Sequence, residues 1–316
     1  MKKSSLETTI ENIKQLDGAA MARARKRQDM LTKPAGSLGR LEDISVQLAG
    51  ILGQAVPRIE NKVVILAAAD HGVAKDGVSA YPQEVTAQMV LNFLQGGAAI
   101  NVLARHAGAR VVIIDAGVAA DIPSHPDLIS LKIGKGTANM AKGPAMSPEQ
   151  ARRCIEEGIA IATKEIGKGA DMVGTGDMGI GNTTAASAIT SVVCGKTPLK
   201  VTGLGTGISE EQRKHKAKII EHAIEVKKID PSDGLDVRAT VLRVATDLFC
   251  QTQVHPPADV LRYTELALAL LETADPATRK AVAEKLSKAP HAPERLLRYL
   301  LDDADVVVAS TVLSHS

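Results

Sequence analysis

Aromatic side chains are scarce: the 316 residues include no Trp, two Phe and three Tyr. Proteins that grip single-stranded nucleic acid stack bases on aromatic platforms, so that function lacks its chemistry here. An excess of one charge is missing too. Lys and Arg number 38 against 36 Asp and Glu, a formal net charge of +2, which gives neither nucleic acid nor an anionic membrane a long-range attraction. The three cysteines, Cys154, Cys194 and Cys250, are odd in number, widely spaced and never in a C-x-x-C pair. Neither a disulfide framework nor a thiolate zinc site is expected, and a reducing cytoplasm fits. Acidic and amide residues interrupt MKKSSLETTIENIKQLDG before an apolar signal core forms. The longest apolar runs, such as 63–69, fall far short of the roughly 18 residues that cross a bilayer. With 45% apolar and 23% charged residues, the expectation is a soluble chain with one large core or two smaller ones and a small-molecule partner.

Glycine is unevenly spread. All 26 glycines lie at or before Gly234, although a uniform spread would put about six in residues 238–316. The predicted organisation is therefore an α/β domain over 1–237 and an all-helical tail over 238–316. In the first part, β-branched runs at 62–66 and 109–115 lead into glycine turns and then helical patterns, the alternation of βαβ units on a parallel sheet. In the second, Val260, Tyr263, Leu266, Ala267 and Leu270 keep a helical spacing, and Pro256, Pro276 and Pro293 mark the starts of successive helices. The stretches 278–288, 294–302 and 305–314 read as short helices. Arg23, Arg25, Lys26 and Arg27 share the N-terminal segment with Glu7, Glu11 and Asp17, which favours a solvated helix face over a phosphate site.

Three glycine loops carry the candidate chemistry. In DMVGTGDMGIGNTT (171–184) a short strand ending at Val173 runs into Gly174, Gly176, Gly179 and Gly181. Asn182, Thr183 and Thr184 then open a small-residue helix where hydroxyl, amide and free N–H groups converge on an anion such as phosphate. The alternative is that these glycines only let strand and helix pack closely. The match of Gly174, Gly176 and Gly179 to G-x-G-x-x-G is weak, because the GKTPLKV that follows about 20 residues on lacks a ribose-binding acid. No G-K-[ST] follows either, so a Walker site is unsupported. TGLGTG (202–207) precedes a helix capped by Ser209 with Gln212 as its capping-box partner. One of Lys214, Lys216 and Lys218 is placed to reach a phosphate, the others facing solvent. A third turn spans Gly134–Gly136. Asp70 and His71 end VVILAAADH, where ligands of parallel sheets gather. His71 reads as a hydrogen-bonded structural histidine, since no H-x-x-x-H or second acidic pair supports a metal. On the helix after Pro82, Thr86, Val90 and Phe93 form one stripe, and Gln83 and Gln88 offer amides either to solvent or to a heteroaromatic ligand.

The segments KPAGSLGRLE (33–42), AADHGVAKDGVSAYPQEVTAQMVLNFLQGGAAINVLAR (68–105), ANMAKGPAMS (138–147), GTGDMGIGNTTAASA (174–188) and TGLGTGISEEQRKHK (202–216) resemble the nicotinate-nucleotide:dimethylbenzimidazole phosphoribosyltransferase family over about residues 5–237. The resemblance implies a doubly wound parallel sheet and a homodimer that works without metal or cofactor. It also implies transfer of 5-phosphoribose from nicotinate mononucleotide to 5,6-dimethylbenzimidazole, giving α-ribazole 5′-phosphate for the cobalamin lower ligand. By this resemblance Gly176, Gly179, Gly181, Asn182, Thr183, Gly203, Gly205 and Lys216 hold phosphoribose. Gln83 and Gln88 lie near the base pocket, and Asp177 stands where the family usually has a catalytic-loop Glu, one methylene longer.

The resemblance ends near Val237. After DPSDGLDV the family continues with a Gly-Gly-Phe-Glu segment and a glycine-rich stretch bearing its general-base glutamate. Residues 238–316 carry neither and resemble the start of an uncharacterised HEAT-like helical-repeat domain. The expected function is the family's transfer with catalysis impaired by the missing glutamate. The alternative is a non-catalytic phosphate-ligand-binding or interaction protein that uses its helical tail. An NAD oxidoreductase stands behind both.

Overall fold

The structure, a computed structural model, describes residues 4–227, 237–251 and 255–314. The chain forms two compact units. One holds a four-stranded sheet, built from β1 (Lys62–Ala69), β2 (Ala109–Gly117), β3 (Leu128–Ser130) and β4 (Met172–Met178). The strand order is β3-β2-β1-β4 and every pairing is parallel, as the alternating pattern predicted.

The Val, Ile and Leu run of β1 occupies the sheet centre with Val63, Leu66 and Ala68 buried, since a parallel strand covered on both faces has no polar side. Helices α4 (Val85–Leu94) and α5 (Ala99–Ala107) connect β1 to β2, and α6 (Pro148–Gly167) returns the chain to β4. Val90 and Phe93 of α4 pack on Leu66 and Ile113, so the predicted stripe is the buried face. The same unit holds α1 (Ser5–Glu11), most of α7 (Asn182–Cys194), α8 (Pro198–Val201) and α9 (Glu210–Lys227).

The run from β1 to β2 and β3 goes one way across the sheet, whereas β4 pairs on the opposite side of β1. The direction of winding reverses between β1 and β4, and the carboxyl ends of those two strands are where sheets of this kind form their ligand crevice. Asp70 and His71 directly follow β1, and Gly179 directly follows β4.

One boundary differs from the sequence reading. The strand does not stop at Val173 but continues through Gly174 and Gly176 to Met178, in register with β1, so that Leu66 pairs with Gly176 and Ala67 with Asp177. A Cβ on Gly176 would sit 3.4 Å from the Leu66 side chain. Gly176 is thus a strand residue pressed on the core, and the loop proper begins at Gly179.

The second unit contains α2 (Gly18–Asp29), α3 (Arg40–Leu52) and five tail helices, α10 (Val237–Gln251), α11 (Pro257–Leu271), α12 (Pro276–Leu286), α13 (Glu294–Leu301) and α14 (Val306–Leu313). Leu242, Leu270, Val282, Leu286, Leu296, Leu300 and Val308 form one apolar cluster. Pro256 and Pro293 stand at the N-caps of α11 and α13, while Pro276 opens α12 behind the Asp275 cap. The predicted boundary at 237 adjoins residues 228–236, which lie outside the described residues.

Candidate active site at the sheet's switch point

The glycine loop after β4 lies directly against the end of β1. A Cβ on Gly179 would stand 2.1 Å from the Ala69 carbonyl and 3.1 Å from Cδ2 and Nε2 of His71, so no other residue fits without moving backbone. Ile180 N–H donates to the buried Thr86 hydroxyl at 3.1 Å, which pins the loop to α4.

The first turn of α7 is less open than its sequence suggests. Asn182 N–H donates to Gly179 O and Thr184 N–H to Gly181 O, each at 3.0 Å, while Thr183 N–H donates to Asn182 Oδ1 at 2.7 Å. The amides expected to grip an anion there are spent locally. Asn182 Nδ2 donates to Asp177 Oδ2 at 2.5 Å, so the amide side chain bridges strand and helix. Unbonded backbone donors occur instead in the TGLGTG loop, where the N–H groups of Gly203, Leu204, Gly205 and Thr206 make no hydrogen bond among the described residues. Arg213 holds that loop by donating to Leu199 O at 2.9 Å and Thr202 O at 3.0 Å.

Lys216 joins the two loops. It belongs to the stripe of α9 that includes Ala217, Ile220 and Ala223, and is 2% exposed. Its Nζ donates to Thr183 Oγ1 at 2.6 Å. A Cβ on Gly205 would meet Thr183 Oγ1 at 3.4 Å and Lys216 Nζ at 3.6 Å. Gly205 also has φ +57, a conformation that favours glycine. No carboxylate pairs with the ammonium, and burial holds its pKa below the ordinary lysine value. A buried cation served by one neutral hydroxyl calls for an anion. Lys214 and Lys218 are exposed, so of the three lysines that spacing left open, the buried one is Lys216, which the resemblance named.

The sheet end departs from expectation at two positions. Asp70 is 2% exposed, with Oδ2 accepting from Ala119 N–H at 2.8 Å and Oδ1 buried without a partner. It is therefore buried at the end of β1 and not presented to solvent as a ligand group. His71, expected to be hydrogen-bonded, makes no side-chain hydrogen bond and is half-buried. Burial lowers its pKa from the ordinary value, against the opposing pull of Asp177 and then Asp70. Gln83 is half-buried and Gln88 exposed. Neither side chain bonds to the loops, although α4, which carries Gln88 and follows Gln83, does through Thr86. Among the described residues, no three His, Cys, Asp or Glu side chains stand together as a metal site, and no helix is long and apolar enough to cross a membrane.

A family profile described as "Phosphoribosyltransferase" matches residues 13–242. The chain belongs to this phosphoribosyltransferase family. It is 58% identical over 238 residues to nicotinate-nucleotide–dimethylbenzimidazole phosphoribosyltransferase of Roseiflexus sp. (strain RS-1), covering 75% of this chain and 67% of that protein. Identity to the Chloroflexus aurantiacus (strain ATCC 29366 / DSM 635 / J-10-fl) protein of the same name is 56% over 236 residues, with the same coverage of each chain. The crystal structure of CobT from Thermus thermophilus superposes with a TM-score of 0.66 at 42% identity, covering 83% of this chain and 80% of that one. Membership of the phosphoribosyltransferase family accounts for the long glycine motifs, and the matched span includes the sheet, the crevice and every candidate residue.

Proposed function

We propose that the chain transfers 5-phosphoribose from nicotinate mononucleotide to 5,6-dimethylbenzimidazole. The observation that carries this reading is the socket of Lys216, Thr183 and Gly205 beside the β1–β4 crevice. A dianionic phosphate there neutralises the buried ammonium and receives the open amides of 203–206, which fixes the ribose relative to the incoming base. Gly176 and Gly179 shape the ribose side by letting β4 and its loop lie close on β1, with Gly181 and Asn182 at the start of α7 facing the sugar. Gln83 and Gln88 stand on the α4 side as amide partners for the two heteroaromatic rings.

The chemistry asks for little acid catalysis. The unprotonated nitrogen of dimethylbenzimidazole attacks C1′ as the C1′–N bond to nicotinate breaks, and the bonding pair returns to the pyridine ring, which leaves without its ring charge. The sugar carbon gains positive character between the two events. Asp177, exposed at the end of β4 and held by Asn182, supplies the nearby negative charge that stabilises it.

Incubating the full chain with both substrates and following α-ribazole 5′-phosphate and nicotinate by mass spectrometry tests the reading. Stoichiometric binding of the mononucleotide without product would favour the non-catalytic alternative. We also infer that the division near 237 separates the family part from the helical tail, which the end of the family match at residue 242 supports. Cytoplasmic location accords with three free cysteines. The homodimer that the resemblance implies is checked by light scattering.

A further inference from the structure

The transfer leaves one proton to be placed: after attack, the second nitrogen of the benzimidazole still carries its N–H. Resting on the function proposed above, we propose that His71 is the proton acceptor of this reaction, taking that N–H proton as the new C1′–N bond forms.

The argument is one of position and unused capacity. His71 stands two residues past the end of β1, at the point where winding reverses, and the Nε2 edge of its ring lies against Gly179. Its ring nitrogens make no hydrogen bond to protein, unlike an imidazole that serves only structure. The ring is half-buried, so a ligand in the crevice can reach it. The charged groups acting on it are Asp177 from β4 and Asp70 from its own strand end, and both are carboxylates. Asp70 Oδ1 is buried without a hydrogen-bond partner. Desolvation keeps the resting imidazole neutral and able to accept, and the two carboxylates stabilise the imidazolium once the proton arrives. The balance is complete: one C–N bond forms, one breaks, and the proton passes from benzimidazole nitrogen to imidazole and then to water.

The test uses the full chain. With His71→Gln, turnover is expected to fall roughly 10²- to 10⁴-fold, with mononucleotide affinity unchanged by calorimetry. The unsubstituted chain is expected to lose kcat/KM towards acid pH, and this acid limb is expected to vanish in His71→Gln. Exogenous imidazole should restore part of the activity of His71→Ala, a result that a merely structural role would not produce. Unchanged turnover and an unchanged acid limb in His71→Gln would overturn the inference while leaving the function intact. If the unsubstituted chain makes no product, the function fails, and the imidazole signals of 15N-histidine-labelled protein decide on His71. Movement of the His71 resonances when dimethylbenzimidazole is added to the mononucleotide-loaded chain would support contact. Unmoved resonances would overturn it.

Discussion

Replacing Lys216 with Met should make the empty protein more stable and the ligand-bound protein less so. The side chain is 2% exposed and its ammonium has one neutral partner, Thr183 Oγ1. Methionine keeps a similar volume and removes the buried charge, and such exchanges at buried ionic groups range from neutral to a gain of about 1–4 kcal/mol. In a domain of this size each kcal/mol moves the melting temperature by roughly 2–4 °C. Binding changes in the opposite sense. A charged hydrogen bond to phosphate is worth about 1.5–3 kcal/mol, so affinity for nicotinate mononucleotide falls roughly 10- to 150-fold. At a mononucleotide concentration about 100 times the unsubstituted Kd, the unsubstituted chain gains about 2.7 kcal/mol from ligand. The variant then gains only about 0.3–1.4 kcal/mol. Differential scanning fluorimetry with and without mononucleotide reads both effects. A Lys216→Met protein that melts below the parent when empty, or shows the same ligand-induced shift, would refute the phosphate socket.

Thr183→Val removes the one hydrogen-bond partner that the Lys216 ammonium has among the described residues and should destabilise by about 1–3 kcal/mol, measured by urea titration. Gly179→Ala places a methyl 2.1 Å from the Ala69 carbonyl and should cost about 1–3 kcal/mol or more. Gly203→Ala has nothing within 4 Å of the new methyl and should stay within about 0.5 kcal/mol. Equal melting temperatures for the two would contradict the close approach of the loop to β1. Because burial lowers the pKa of His71 from its ordinary 6.5, the unfolded chain binds the extra proton first. Its contribution to stability is therefore present above that pH and lost as pH falls through the lowered value, and His71→Gln should flatten that part of a pH series of urea midpoints. Leu286→Ala, at a side chain 0% exposed in the tail, should cost about 2–5 kcal/mol in thermal unfolding.

Much of the fold was legible along the chain. The β-branched runs marked β1 and β2, a capping box at Ser209 and Gln212 opened α9 with its two reciprocal bonds in place, and prolines marked the tail helices. Local signals of this kind act within a few residues, so sequence carries them. The extent of β4 was not legible, because glycine is a poor strand former whose place beside Leu66 depends on a partner strand more than 100 residues away. Nor could the sequence tell that the amides opening α7 are consumed by Gly179, Gly181 and Asn182 while those of 203–206 stay open.

Sequence alone determined the family, the parallel α/β class and the glycine loops, because each is written in residue types at short spacing. Tertiary structure decided which lysine meets Thr183, that Asp70 is buried at the end of β1, and that His71 stands unbonded at the crevice. Those facts depend on burial and on distances between segments that come together only when the sheet closes its strands around β1.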